Sequence, residues 1–126
     1  MTHSEAKVED LVKTGLLYDF YGGLLTEKQQ KIMDLYYNED WSMTEIAEKE
    51  AVSRQAVHDL LHRSQRILEE YEAKLGLLKR FLMQQALLKS INADLNSLAE
   101  SIPLEHPGQA YVSKIQSKIE QLLATE

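Results

Sequence analysis

The sequence predicts an all-α protein, and three observations support that prediction. Apolar residues recur at intervals of three and four along almost the whole chain, which is the spacing of one face of an α-helix. Proline is scarce, since Pro103 and Pro107 are the only two and both lie near the carboxyl end. Residues 44–66 have the sequence TEIAEKEAVSRQAVHDLLHRSQR, which is typical of two short helices joined by a tight turn.

Local signals bound the first three helices. The first is expected to end at Gly22–Gly23, because paired glycines stop a helix. Thr26 opens the second helix, and Gln29 three residues later completes a capping box. Ser42 and Glu45 form the same motif at the start of the third helix.

Residues 44–66 predict a helix-turn-helix. Apolar residues supply the inner face of the first helix, the turn and the inner face of the second helix: Ile46, Ala47, Val52, Val57 and Leu60. Ser53 is placed to cap the second helix by accepting a hydrogen bond from a free backbone N–H. In proteins of this type the second helix enters the major groove of DNA.

The second helix directs polar side chains outward, as a helix that reads a groove must. The candidate nucleic-acid-binding residues are Ser53, Arg54, Gln55, His58, His62, Arg63 and Arg66. Arginine pairs bidentately with guanine and glutamine with adenine, so Arg54 and Gln55 suit base contacts. The alternative is that both are ordinary solvated side chains.

The remaining candidates also have alternatives. Arg63 and Arg66 suit phosphates, but they could instead pair with the glutamates one turn later. His58 and His62 are four residues apart on one helical face, a spacing that a metal pair can use. No third ligand follows at a telling spacing, so no metal site is predicted, and DNA contact or simple exposure is favoured.

The apolar pattern continues far beyond the helix-turn-helix. It runs on through Leu61, Leu68, Tyr71, Leu75, Leu78 and Leu82, with Ser64 as the one polar position. This indicates either one very long helix or two helices broken near Gly76. In the last helix the same rhythm returns at Val112, Ile115, Ile119 and Leu122. A stripe this long needs a partner, which is either the last helix or a second copy of the chain.

We therefore predict two parts. Residues 1–75 would form an N-terminal helix plus the helix-turn-helix domain, and residues 76–126 a long C-terminal helical extension that serves as a dimerisation element. A homodimer is expected, because two joined subunits gain effective concentration at paired half-sites of DNA.

Charge limits the kind of nucleic-acid binding to expect. The net charge of −6 argues against a protein that coats DNA through bulk positive charge. Residues 1–52 carry −6, residues 53–80 carry +2 and residues 81–126 carry −2. The only net-positive segment therefore begins at the second helix of the helix-turn-helix, and a monomer is expected to bind non-specific DNA weakly.

Composition also excludes several classes of protein. Cysteine is absent, which excludes disulfides and thiolate metal sites and fits a reducing cytoplasm. No apolar run approaches the roughly 20 residues of a membrane span, and the opening MTHSEAKVED is unlike a signal peptide. No glycine-rich phosphate loop or nucleophile with a base in recognisable context is present. We expect a cytoplasmic protein that is not an enzyme and uses no cofactor.

The stretch LLTEKQQKIMDLYYNEDWSMTEIAEKEAVSRQAVHDLLHRSQRILEEYEAKL resembles region 4 of sigma factors. More closely, residues 8–100, with the tyrosine-rich LLYDFYGGLLT and the long C-terminal helix, resemble the YlxM-like family of small bacterial helix-turn-helix proteins. Genes of that family lie beside signal recognition particle genes, and a regulatory role in that pathway has been proposed for it. The resemblance implies that the residues facing DNA are Ser53, Arg54, Gln55, His58, Asp59, His62 and Arg63.

Three positions depart from the family pattern. The turn position usually held by glycine is Ala51, which must adopt a left-handed conformation or reshape the turn. Glu50 occupies a position that is usually apolar. Asp59 would repel phosphate, although it could accept a hydrogen bond from a cytosine amino group.

The leading hypothesis is a dimeric helix-turn-helix protein that binds double-stranded DNA and modulates transcription. The rival is a protein- or RNA-interaction module of the signal recognition particle pathway that does not bind duplex DNA. A third possibility is docking on RNA polymerase, as sigma region 4 does.

Overall fold

The computed structural model describes residues 5–124, with side chains from residue 10 onward. In this range it contains the helices α1 Glu5–Tyr21, α2 Glu27–Met33, α3 Met43–Glu50, α4 Arg54–Leu75, α5 Leu77–Ser101 and α6 Gly108–Ala124. A 3₁₀ turn, Gly22–Leu24, follows α1, and a π-helical turn, Asp34–Asn38, continues α2. The all-α class is confirmed. None of these helices combines the length and apolar character that crossing a membrane requires.

The chain divides into two compact units, residues 1–78 and 79–126. In the first unit α1, α2 and α3 all pack against α4. Its core consists mainly of Leu17, Tyr21, Ile32, Met33, Ile46, Val57, Leu61 and Leu68. The opening stretch MTHSEAKVED was expected not to be a signal peptide. Its residues 1–4 lie outside the described residues.

Both capping boxes predicted from the sequence are confirmed. The Gln29 backbone N–H donates to Thr26 Oγ1 at 3.2 Å, and the Thr26 N–H donates to Gln29 Oε1 at 3.0 Å. At α3 the corresponding distances between Ser42 and Glu45 are 3.1 and 2.8 Å. Each box satisfies two backbone donors at a helix start, so these boundaries are fixed by residues three positions apart.

Position 22, directly after α1, requires glycine for a steric reason. A Cβ at this position would stand 2.7 Å from Cε1 of Tyr18, closer than carbon atoms can approach. The Tyr18 ring lies against this backbone, and its hydroxyl donates to the Gln30 carbonyl at 3.1 Å. Glycine thus allows the tyrosine to join α1 to α2.

Two tyrosines should make the first unit sensitive to alkaline pH. Burial, with the hydrogen bond and charge of Asp34, raises the pKa of Tyr18 to about 12, and burial raises the pKa of Tyr37 to about 12. Because these pKa values exceed the unfolded value near 10, the protein should keep this stability up to about pH 10 and lose it as the pH rises towards 12. Ultraviolet absorbance titration should resolve late-ionising tyrosines in the folded chain. Ionisation of all six tyrosines near pH 10 without unfolding would contradict the prediction.

The apolar run beyond Leu61 forms two helices, not one. Gly76 separates α4 from α5 with φ 63° and ψ 25°, a left-handed conformation that glycine adopts without strain. Tyr21, which is 1 % exposed, donates its hydroxyl proton to Glu72 Oε1 at 2.6 Å. The same hydroxyl accepts from the Leu77 N–H at 3.0 Å, and Glu72 Oε1 accepts from the Leu78 N–H at 3.0 Å. We call these four residues with Gly76 the α4–α5 junction.

The second unit is a helical hairpin made of most of α5 and all of α6. Gln109 Nε2 donates to the Ala99 carbonyl at 2.8 Å, and Gln116 Nε2 donates to Asn96 Oδ1 at 2.7 Å. Positions that share a face with these two glutamines are buried in α6, namely Val112 and Ile119.

The four apolar positions of the last helix do not all face α5. Val112 and Ile119 are buried, whereas Ile115 and Leu122 are exposed. The reason is that the seam towards α5 follows the glutamine-containing positions 109, 112, 116 and 119, which places residues 115 and 122 to one side of it.

Candidate nucleic-acid interface

The helix-turn-helix consists of α3, a tight turn and the beginning of α4. Its first helix buries Ile46 and Ala47, and its second buries Val57 in the core of the first unit. Ser53 caps α4, since its Oγ accepts from the Ala56 N–H at 3.0 Å. The predicted N-cap is therefore confirmed.

The turn is closed by hydrogen bonds that return to α3. Ala51 adopts φ 56° and ψ 43°, so of the two alternatives that the sequence left open, the left-handed conformation is the one present. The N–H groups of Ala51 and Val52 donate to the carbonyls of Glu48 and Ala47 at 3.4 and 3.0 Å, the pattern of a Schellman motif. Val52 lies in the turn, as the sequence predicts, and it is 36 % exposed.

The strain at Ala51 can be tested by substitution. A left-handed conformation costs a residue with a Cβ roughly 1–2 kcal/mol, and glycine avoids this cost. Glycine gives back part of the gain, because its unfolded chain has more conformational freedom to lose. Ala51→Gly should therefore raise the free energy of unfolding by about 0.5–1 kcal/mol in chemical denaturation.

Ala56→Gly is the matched control for this substitution, because Ala56 is exposed in the first turn of α4. It should lower the free energy of unfolding by up to about 1 kcal/mol. A loss of stability in both variants would show that the turn is not strained.

Glu50, the acidic residue at a usually apolar position before the turn, forms an ion pair within the fold. Lys31 Nζ lies 3.2 Å from Glu50 Oε2, and the Glu50 side chain is only 16 % exposed. This ion pair joins α2 to the end of α3. Glu50 is therefore directed at α2, and it does not place its charge on the surface that α4 presents.

The seven candidate residues fall into two sets. Ser53, Gln55 and Arg63 lie on the exposed surface of α4, and Asp59 lies among them. Gln55 Nε2 donates to Asp59 Oδ1 at 2.8 Å, which lowers the pKa of Asp59, and His58 adds to the effect. The glutamine amide proposed to read a base is thus bound to a carboxylate that stays ionised at neutral pH.

The other four candidates face a cleft between α1 and α4, which we call the α1–α4 cleft. Arg54, His58, His62 and Arg66 line it from α4, and its volume is about 670 Å³. Tyr36, Tyr37 and Thr14 lie on the opposite side. The signal for this arrangement is present in the sequence, since the four residues are spaced by four, but the cleft requires α1 to pack beside α4.

Two alternatives to DNA contact were considered: a metal pair at His58 and His62, and ion pairs of two arginines, Arg63 and Arg66, with glutamates. His58 and His62 have ring centroids 4.1 Å apart, but in the described part of the chain no three side chains gather as metal ligands. Among side chains 10–124 no ion pair joins Arg63 or Arg66 to a glutamate.

Comparison with known proteins places the chain in a family. A family model described as helix-turn-helix proteins, YlxM/p13-like, matches residues 8–105. A UPF0122 protein of Desulforamulus reducens is 49% identical over 86 residues, covering 68% of this chain and 74% of that protein. One from Symbiobacterium thermophilum is 45% identical over 89 residues, covering 71% and 83%. One from Anoxybacillus flavithermus is 39% identical over 115 residues, covering 91% and 98%.

These matches confirm the resemblance to the YlxM-like family that the sequence indicated. The matched segment includes α2, both helices of the helix-turn-helix and all of α5. The chain therefore belongs to the YlxM/p13-like family of helix-turn-helix proteins.

Proposed function

We propose that this protein is a DNA-binding regulator that acts as a homodimer and inserts the start of α4 into the major groove of duplex DNA. The observation that supports this most is the exposed, Ser53-capped first turn of α4, which carries Arg54 and Gln55 at the surface of a helix-turn-helix. In helix-turn-helix proteins the N-terminal residues of the second helix contact base edges. The expected cytoplasmic location and regulation of transcription belong to the same proposal.

The charge distribution supports α4 as the contacting element. Residues 53–66 carry Arg54, Arg63 and Arg66 against one carboxylate, Asp59, so the start of α4 is locally positive within a chain of net charge −6. Affinity for duplex DNA depends largely on the release of counterions by lysine and arginine. Arg63 is exposed on α4 and has no ion pair among side chains 10–124, so it is available for a phosphate.

Dimerisation through residues 79–126 is the second part of the proposal. Leu87, Ile91 and Leu98 are exposed on α5, and Ile115 and Leu122 are exposed on α6. An α-helix turns by 100° per residue. On both helices these residues therefore lie about 100° around the helix axis from the seam between α5 and α6, in the same direction of rotation. Because the helices run antiparallel, the two apolar stripes share one face of the hairpin.

An apolar face of this kind favours a second copy as its partner. Two helices alone enclose little core, and large exposed apolar patches mark interaction sites. Asn92 Oδ1 is buried near the seam and has no hydrogen-bond partner among the described residues. A buried polar atom of this type is used in helical assemblies to fix one register.

The DNA-binding proposal is tested by fluorescence anisotropy with random and selected duplexes over a salt titration. Arg63→Ala should weaken binding and reduce the salt dependence by about one counterion, because it removes one phosphate contact. Lys74→Ala is the matched control, since Lys74 is exposed at the opposite end of the same helix. Absence of salt-sensitive duplex binding at low ionic strength would overturn the proposal.

Arg54→Ala gives a second, sequence-dependent test. If Arg54 reads a base, its removal should weaken the selected duplex by about 1–3 kcal/mol and relax specificity at one position. An equal loss for selected and random duplexes would assign Arg54 to phosphate contact.

A second candidate function is favoured by the Gln55–Asp59 hydrogen bond. This contact occupies a base-reading amide and keeps a negative charge on the exposed surface of α4. Such a surface suits a basic protein or a structured RNA with donors at its base edges better than a phosphate backbone. Binding of purified signal recognition particle RNA and protein, or of RNA polymerase, in the absence of any duplex binding would support this alternative.

A further inference from the structure

We propose that the α1–α4 cleft is a binding site for a phosphorylated nucleoside. The cleft lies wholly within the first unit, and it combines a cationic wall, an aromatic wall and carboxylates in one concave space. Its volume of about 670 Å³ falls within the range of about 300–1,000 Å³ that is typical of small-molecule sites. The site does not depend on the proposed DNA binding, although it would influence it.

The cationic wall suits phosphate. Arg54, His58, His62 and Arg66 follow one another every fourth residue, so their Cα atoms extend over about 18 Å on one face of α4 at 1.5 Å per residue. Arginine forms a fork of donors that matches phosphate oxygens bidentately. Neither Arg54 nor Arg66 forms an ion pair with side chains 10–124, so both guanidinium groups are available to a ligand.

One ring nitrogen of His58, which lies between the two arginines, is buried. His58 Nδ1 lies 3.5 Å from Asp59 Oδ1 and is inaccessible to solvent. Nε2 is therefore the ring nitrogen that remains to meet a ligand. The His62 ring lies beside it, with centroids 4.1 Å apart, so both rings contribute to the same wall.

The aromatic wall suits a planar base. Tyr36 and Tyr37 are half-buried, and their rings meet edge to face with centroids 5.0 Å apart. Thr14 is buried and lines the cleft together with Tyr37. Bases stack on aromatic side chains of this kind without strong sequence preference. Arg54 lies close enough to Tyr36 for its charge to act on the phenol, which brings the two walls together.

Carboxylates complete the match to a nucleoside. Asp10 and Glu69 also line the cleft, and neither has an ion-pair partner among side chains 10–124. Carboxylates repel free phosphate but accept hydrogen bonds from ribose hydroxyls, as in dinucleotide-binding folds. A site with both signs of charge therefore favours a ligand that carries hydroxyls and a base as well as phosphate.

The same chemistry has two sources, a free nucleotide or a nucleotide within a nucleic-acid strand. Arg54 belongs both to the cleft and to the proposed groove-reading turn of α4. A free nucleotide that engages Arg54 would withdraw it from DNA and thereby regulate binding. A strand would instead extend from the groove into the cleft.

The test is isothermal titration calorimetry of the full chain at low salt with AMP, GMP, ATP, GTP, inorganic phosphate and a short single-stranded oligonucleotide. At least one mononucleotide should bind with a Kd of about 1 mM or tighter, and phosphate at least tenfold more weakly. Arg66→Ala and His62→Ala should weaken nucleotide binding about tenfold or more. Lys74→Ala is the matched control, because Lys74 is exposed on the same helix outside both the cleft and the proposed DNA contacts, and it should change the Kd less than about twofold.

Specific outcomes decide the matter. No nucleotide binding at millimolar concentration overturns the proposal. An equal loss in Lys74→Ala and Arg66→Ala also overturns it, because that result would indicate general charge attraction. Tighter binding of the oligonucleotide than of every mononucleotide, lost in Arg66→Ala, supports the site with a strand as its occupant. Duplex binding is measured separately by the salt titration, so failure of the cleft and failure of DNA binding are distinguishable.

Discussion

Replacing Tyr21 with phenylalanine is expected to lower the free energy of unfolding by about 2–3 kcal/mol, although it removes only one oxygen atom. That oxygen donates to Glu72 and accepts from the Leu77 N–H, and the ring is almost fully buried. A hydrogen bond to a charged group contributes about 1.5–3 kcal/mol, and the partly buried Leu77 N–H left unpaired adds to the loss. Urea unfolding followed by circular dichroism, at equal protein concentrations, measures the difference.

The neighbouring ring provides the control for this substitution. Tyr71 stacks on Tyr21 with centroids 6.0 Å apart, and no hydrogen bond of its hydroxyl is present among the described residues. Tyr71→Phe should therefore change stability by less than about 0.5 kcal/mol. Equal effects of the two substitutions would mean that the α4–α5 junction is held by ring packing and that the hydroxyl contributes little.

The sequence predicted those parts of the fold that local signals determine. Both capping boxes and the Ser53 cap depend on residues three positions apart. Their geometry follows from side-chain type and spacing, so it could be inferred before any packing was known.

The α4–α5 junction could not be predicted in the same way. Tyr21 and Glu72 are 51 residues apart, and nothing in the spacing of either residue indicates that one caps a helix next to the other. The apolar pattern also continues across Gly76, so it left one long helix and two helices equally possible. Gly76 and the hydrogen bonds of Tyr21 and Glu72 beside it decide between one helix and two, and these contacts depend on tertiary packing.

The candidate site was predicted only in part. Helical spacing identified the outward side chains of α4, but it could not divide them between an exposed surface and a cleft. That division depends on α1 and the π-helical turn at Asp34–Asn38, which bring Thr14, Tyr36 and Tyr37 opposite α4. The pairing of Glu50 with Lys31 likewise depends on the packing of α2.

Placing two carboxylates on the apolar face of the hairpin is expected to produce the largest functional effect. In the double variant Leu87→Glu with Ile91→Glu, both substitutions fall on the exposed stripe of α5, one turn apart. If this stripe joins two copies, burying the charges costs more than the interface gains, and the chain becomes a monomer. Analytical ultracentrifugation across a concentration series measures this change.

Loss of the dimer should also lower the affinity for paired DNA half-sites by about 10²- to 10⁴-fold, because the second subunit no longer benefits from effective concentration. Ser90→Glu with Ser97→Glu is the matched control, since it adds the same charge on the side of α5 opposite the seam. The control should remain dimeric and lose little affinity. Circular dichroism should first show that both double variants remain helical. If Leu87→Glu with Ile91→Glu is then a monomer with unchanged DNA affinity, dimerisation is separate from DNA binding. If that variant is still a dimer, the interface lies elsewhere.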